Sequence, residues 1–192
     1  MVDVSSKAIT KRTATAKGKI FIPKLAYDLV TGIDAQSVSD DHGSDVGRSS
    51  LEREVSKVRS KGDVLTVAQL AAILGCKKTP ELIPLCHPLQ LSRISVRLTP
   101  MCSRTNQSST STYSEPSSIT SMEETTYSII CEATVSCEGK TGVEMEALTA
   151  VSIGLLTVWD MLKAVAGKEM LIGEVFVHSK GGGKSGDFVR DR

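Results

Sequence analysis

Thr141 to Lys168 reads TGVEMEALTAVSIGLLTVWDMLKAVAGK, the longest regular stretch in the chain. Met145, Leu148, Ser152, Leu155, Trp159 and Leu162 recur at alternating three- and four-residue steps, and other apolar residues widen the stripe. That spacing predicts a largely buried helix. A buried helix needs a surface to lie on, and the flanking segments change period to supply one. Tyr127 to Ser136 alternates through Tyr127, Ile129, Cys131, Ala133 and Val135, and Ile94 to Leu98 (ISVRL) alternates as well. Ile9 to Ile22, ITKRTATAKGKIFI, partly alternates small or apolar residues with basic ones, and Leu171 to His178 reads as a last strand. The clearest strands show one polar face. The chain therefore reads as α+β, an antiparallel sheet with helices packed on one face.

The remaining segments fit between these elements. PKLAYDLVTG predicts a short helix with Pro23 at its first position and Gly32 at its end. Asp63 can cap a helix running to Gly75, with Val67, Leu70, Ala71 and Leu74 on its inner face. Lys77 and Lys78 follow it, where cations suit the helix dipole. Two polar stretches interrupt the pattern: residues 33–60, rich in Asp, Ser and Gly, and residues 99–126, dominated by Ser and Thr. Both read as flexible inserts. At 192 residues, a single domain spanning 1–192 is expected.

Composition narrows the function classes. Basic and acidic residues nearly balance, 23 against 22, so no global field points to nucleic acid or an anionic membrane. The seven aromatic residues leave little for stacking bases. Five cysteines with no CxxC pair suit free thiols in a reducing compartment better than a disulfide framework. The start lacks the apolar core of a secretory signal, and no run approaches the ~18 apolar residues of a membrane span. Ser179 to Phe188, SKGGGKSGDF, ends like a P-loop, but His178 stands where its first glycine belongs. The few residues after Ser185 cannot supply the helix that a P-loop opens. What remains is a glycine run carrying Lys180 and Lys184, able to bring charge and backbone N–H groups to an anion, or simply a solvated tail.

Four constellations carry polar groups that a plain core or surface does not need. Lys61 directly precedes a helix N-terminus, which favours anions rather than cations. It is either an exposed lysine before an ordinary Asp63 cap or a group that faces an anionic ligand together with that terminus. His87 lies between Pro84 and Pro88, in Pro84-Leu85-Cys86-His87-Pro88, so its backbone is restricted. A core histidine and a positioned proton-transfer group are both compatible with that. Glu144 and Glu146 stand at the start of the long helix, where carboxylates ordinarily complement the dipole. Asp160 and Lys163 sit three residues apart near its end, as an ion pair or, if the lysine is partly desolvated, as a proton-transfer pair. Glu146 and Asp160 are fourteen residues apart. On one helix that is about 21 Å. Either Glu146 lies outside the regular helix or one site draws the two ends from different subunits.

Taken together and in order, KGDVLTVAQLA, TPELIPLCHPL, TGVEMEALTA with TVWDMLKAV, and SKGGGKSGDF resemble the MoaC family, as does the opening MVDVSSKAIT. That family comprises the cyclic pyranopterin monophosphate synthases of molybdenum cofactor biosynthesis. The resemblance implies a ferredoxin-like subunit, a homo-oligomer that is a hexamer built from dimers, and active sites between subunits. It implies a lyase that converts (8S)-3′,8-cyclo-7,8-dihydroguanosine 5′-triphosphate to cyclic pyranopterin monophosphate and pyrophosphate. Lys61 and Lys163 would be the catalytic lysines and Asp160 their acidic partner. Leu85, Cys86, His87, Glu144, Met145 and Glu146 would contact the substrate. Asp3, Lys7 and Arg12 would reach it from the N-terminal arm, and Lys180 and Lys184 from the glycine-rich end.

No Cys/His cluster has zinc spacing, so no resident metal or other cofactor is expected, although a divalent ion accompanying the triphosphate is compatible with the reading. Neither nucleic acid nor a membrane is an expected partner. Trp159 stands where the family pattern suggests tyrosine, Leu162 where it suggests cysteine, and Gly181 where it suggests serine or threonine. The two inserts suggest a eukaryotic source; the expected compartment is the cytoplasm or, for such a source, the mitochondrial matrix. The rival from another class is a non-catalytic regulatory module that binds nucleotide phosphates. It would keep the cations and the glycine run but need no Asp160–Lys163 pair.

Overall fold

A computed structural model describes residues 1–32, 45–106, 123–183 and 186–191. Its elements in chain order are β1 (Thr10–Ile22), α1 (Lys24–Thr31), α2 (Asp45–Ser60), α3 (Val64–Lys77), α4 (Thr79–Leu82), β2 (Leu91–Asn106), β3 (Glu123–Gly139), α5 (Glu144–Ala166), β4 (Leu171–Gly181) and β5 (Phe188–Val189). The sheet order is β2-β3-β1-β4-β5, with every neighbouring pair antiparallel. With α3 and α5 as crossovers, the path β1-α3-β2-β3-α5-β4 is the split βαβ arrangement of a ferredoxin-like α+β fold.

β1 is the organising strand. Ala14, Ala16, Gly18, Ile20 and Ile22 alternate onto one face and are buried, joined by Ile129, Cys131, Ala133, Val135 and Cys137 of β3. Gly18 has a steric reason to be glycine. A Cβ there would stand 2.6 Å from Val151 Cγ1 and 2.9 Å from Leu155 Cδ1, both on α5. The opposite face carries a polar ladder along the register: Thr13 to Ser136 at 3.1 Å, Thr15 to Thr134 at 2.9 Å and Lys17 to Glu132 at 3.2 Å. Alternation thus reports the buried face directly.

The predicted long helix is α5, and its burial is wider than one stripe. Leu155 and Leu162 are fully buried, Leu148 and Trp159 pack against the core, and Ala147, Ala150, Val151, Gly154 and Val158 complete the inner face. Leu162 and Trp159, the departures from the family pattern, are thus packing positions. The helix is long and apolar enough to cross a membrane by length and hydropathy, but it lies on the sheet as core helices do.

Four expectations need correction. The inner face of α3 is Val64, Ala68, Ala72, Gly75 and Cys76, while Val67, Leu70 and Leu74 are exposed. The reason is the close approach of α5: a Cβ on Gly75 would stand 2.7 Å from Ile153 Cγ1, so only small side chains fit between the helices. Within the segment read as a polar insert, residues 45–60 form α2, whose Leu51, Val55 and Val58 fall at helical spacing and leave Val58 only 3% exposed. The second insert is shorter than expected, because β2 and β3 pair from Cys102↔Tyr127 to Asn106↔Glu123. Residues 101–104 are all exposed, so the end of β2 has no buried face to write an alternation into the sequence. Pro23 caps α1 rather than starting it. Residues 33–44 and 107–122 of the expected inserts lie outside the described residues.

Candidate active site

The functional candidates gather at the two ends of α5. At its C-terminal end, Lys61 arrives from the turn between α2 and α3. Gly62, at φ +91°, takes the left-handed conformation that lets the chain reverse there. Asp63 then caps α3 by accepting from Thr66 N at 2.7 Å, so that helix terminus already has its anion, and Lys61 turns to α5 instead. Lys61 Nζ donates to the Asp160 backbone oxygen at 2.7 Å and lies 3.4 Å from Asp160 Oδ2, while Lys163 Nζ donates to Oδ1 at 2.6 Å. Two cations, one of them 99 residues from Asp160 in sequence, thus share one carboxylate. The Lys163 hydrogen bond, followed by the Lys61 charge, holds the Asp160 carboxyl below its ordinary range. Lys163 is 58% exposed, so the single chain does not desolvate this pair.

At the N-terminal end of α5 a cleft of about 470 Å³ is lined by Lys7, Arg12, Lys140, Glu144, Lys180 and the run Gly181–Gly183. Glu144 Oε1 pairs with Lys180 Nζ at 3.2 Å. Arg12 is clamped between two loops, with Nε donating to Gly139 O and Nη1 to Gly182 O, both at 3.4 Å. Gly183, at φ +88°, takes a left-handed conformation that favours glycine, and a Cβ there would displace the Arg12 guanidinium. The glycine run is therefore a close-fitting wall for an arginine.

A second hollow of about 450 Å³ adjoins the first and shares Lys7 and Thr141 with it; Met1, Val2, Val4, Leu85 and His87 complete its lining. His87 Nε2 lies 2.9 Å from the Val2 carbonyl oxygen, and Leu85 is exposed in the turn closed by Cys86 N donating to Ile83 O at 3.0 Å. Glu146 is 3% exposed, and burial raises its carboxyl above the ordinary range, with the Glu144 charge adding to the effect. Burial likewise raises the Cys86 thiol, and the Glu146 charge acts in the same direction. All five cysteines are free, and burial pushes the Cys76 and Cys131 thiols up to about 12.

The structure thus brings Lys61, Asp160 and Lys163 together, and separately Lys7, Arg12, Glu144 and Lys180, with Leu85 and His87 adjacent. Met145, Glu146, Cys86 and Asp3 line neither hollow; the Asp3 carboxylate accepts from Ser5 N at 2.8 Å. Lys184 lies outside the described residues. Both Glu146 and Asp160 are inside α5, which removes the option that Glu146 precedes the helix. Lys140 was not anticipated. Its hydrogen-bond partner, the Ser5 carbonyl, is 135 residues away, and nothing in the local sequence marks it.

Comparison with known proteins bears on what this arrangement serves. The chain is 41% identical to the cyclic pyranopterin monophosphate synthase of Helicobacter hepaticus over 191 residues, 100% of this chain and 91% of that protein. It is 42% identical to the synthase of Campylobacter jejuni (strain RM1221) and 40% identical to that of Staphylococcus haemolyticus, each over 190 residues, 99% of this chain and 91% of the relative. Residues 1–183, which hold the N-terminal arm, both ends of α5 and the start of the glycine run, match the model of the MoaC family, and the chain belongs to that family.

Proposed function

We infer that this chain is a cyclic pyranopterin monophosphate synthase, a lyase of molybdenum cofactor biosynthesis, the activity for which its relatives are named. Its substrate in this reading is (8S)-3′,8-cyclo-7,8-dihydroguanosine 5′-triphosphate. A sugar hydroxyl attacks the innermost phosphorus, the new P–O bond closes the cyclic phosphate, and the bond to the outer two phosphates breaks with its electron pair leaving on pyrophosphate. The pterin ring forms by opening and reclosure, a C–N bond broken in opening being matched by a C–N bond formed in closing, with proton transfers and no outside oxidant or reductant.

The observation that supports this reading best is the meeting of Lys61 and Lys163 on Asp160. A carboxylate shared by two ammonium groups can orient both and re-accept a proton that either gives up, which is what reversible proton shuttling asks of a site. Lys7, Arg12, Lys180 and Lys184 are the cations assigned to the triphosphate, and they stabilise the charge that develops on departing pyrophosphate. Leu85, Cys86, His87, Glu144, Met145 and Glu146 are assigned to the ring side, with Glu146 held toward its protonated form by burial. Asp3 joins them from the N-terminal arm. A divalent ion, where one takes part, arrives on the phosphates rather than in a protein cage.

Glu146 and Asp160, toward opposite ends of α5, stand about 21 Å apart along the helix, farther than one small site spans. The reading therefore has two chains contribute opposite ends to one site, within a homo-oligomer that is a hexamer built from dimers. Free thiols suit a reducing compartment, the cytoplasm or, for a eukaryotic source, the mitochondrial matrix, with neither nucleic acid nor membrane as partner. The test is to supply purified protein with the cyclised GTP derivative and follow pyrophosphate and pterin. Both should form in equal amounts. Binding of the nucleotide without either product would transfer the case to the regulatory phosphate-binding module.

A further inference from the structure

The segment before β1 is held to the body by very little burial. Of residues 1–9 only Val4 is half-buried, and Met1 and Val2 are 72% and 73% exposed. Yet the segment crosses two hollows, and two side chains from distant loops reach its backbone. Lys140 Nζ donates to the Ser5 carbonyl at 2.7 Å, and His87 Nε2 meets the Val2 carbonyl at 2.9 Å. Inside the segment, Ser5 N donates to Asp3 Oδ1 at 2.8 Å and Lys7 N to Val4 O at 3.1 Å. The Lys140 tie therefore grips the compact turn that carries Asp3 and Lys7.

We propose that Lys140 is a positioning residue that straps the N-terminal arm, and Lys7 with it, across the cleft at the start of α5. Where apolar burial is small, hydrogen bonds decide whether a segment stays docked, and one from a charged donor is stronger than a neutral one. An ammonium has three donors, so the bond to Ser5 leaves Lys140 able to face an anion in the cleft it lines. The strap is thus strengthened by a negatively charged ligand without being made by one. Its consequence for turnover rests on the function proposed above; its consequence for the arm does not.

The test uses the full-length chain and two variants, Lys140→Met and Lys140→Arg. Trypsin cleavage after Lys7, followed by mass spectrometry of the released N-terminal peptide, reads whether the arm is docked. Losing the tie should speed that cleavage on the order of tenfold in Lys140→Met and leave it near wild type in Lys140→Arg. With the cyclised GTP derivative, Lys140→Met should raise KM on the order of tenfold with kcat held within about threefold, and the arginine variant should restore KM. Unchanged cleavage in Lys140→Met overturns the strap, and a raised KM with an unmoved arm makes Lys140 a direct phosphate ligand instead. A freed arm with unchanged KM overturns the positioning role. A wild-type chain that turns nothing over refutes the proposed function, while the cleavage rates still decide whether Lys140 holds the arm.

Discussion

The two ends of α5 are built on opposite principles. At the C-terminal end the polar groups lie on the surface: Asp160 is 60% exposed and its two lysine partners are held by hydrogen bonds alone. At the N-terminal end Glu146 is buried and Arg12 is wedged between two loops whose glycines fit around it. The first arrangement is preorganised by charge and left open; the second is preorganised by packing around Glu146 and Arg12 and is the more closed of the two, although its Lys7 is carried on the lightly held N-terminal arm. An open triad gains strength when something covers it and lowers the local dielectric. A cleft in which Arg12 and Lys180 already have partners holds part of its cation set in place. That difference is what the proposed sharing of one site between two chains would use.

Substitutions at each end break the comparison differently. The largest effect is expected at the open end. Lys163→Ala and Lys61→Ala should each lower turnover by on the order of 10³-fold or more, with secondary structure and oligomer size unchanged by circular dichroism and gel filtration. Near-normal rates in either variant would remove the triad from the chemistry. At the closed end Gly183→Ala pushes the Arg12 guanidinium out of its slot. It should raise KM on the order of tenfold and leave kcat nearly alone, measured in steady state.

Smaller effects are read in stability. Burial raises the Glu146 carboxyl above its ordinary 4.5. A group whose pKa is higher folded than unfolded favours folding when protonated, and that contribution is lost as pH rises through the folded value. Glu146→Gln should therefore melt higher than wild type at neutral pH, with the gap closing as pH falls through the raised folded value toward 4.5 and absent below it. The Asp160 carboxyl is held low by Lys163 and Lys61, so its contribution has the opposite sign, present above 3.8 and lost as pH falls. Because Asp160 is exposed, Asp160→Asn should leave the melting temperature essentially where it was at any pH, even as it lowers activity.

Much of the frame is legible in the sequence because it depends on period. The alternation of β1 and β3 marks the buried side of the sheet, and the three-four spacing after Thr141 marks α5. What fails is whatever depends on distance between elements. Nothing local in VAQLAAILGC says that α5 comes close enough to prefer Ala68, Ala72 and Gly75 over Leu70 and Leu74. The end of β2 is missed because residues 101–104 are all exposed and carry no alternation, and α2 because Leu51, Val55 and Val58 sit among charges. The same division holds for the site. Lys61, Asp160 and Lys163 announce themselves as charges beside helix ends and apolar stretches. Lys140 and the carbonyls that clamp Arg12 matter only through partners more than a hundred residues away.

The central claim, that opposite ends of α5 from two chains complete one site, has a direct measurement. Lys163→Ala disables the open end and the double variant Arg12→Ala/Lys180→Ala the closed end, and the two chains are co-expressed so that mixed oligomers form. If the ends act in trans, mixed oligomers contain sites with both ends intact, and pyrophosphate release should recover to on the order of a quarter of wild type while each parent alone stays silent. Mixed oligomers as inactive as their parents would contradict the account.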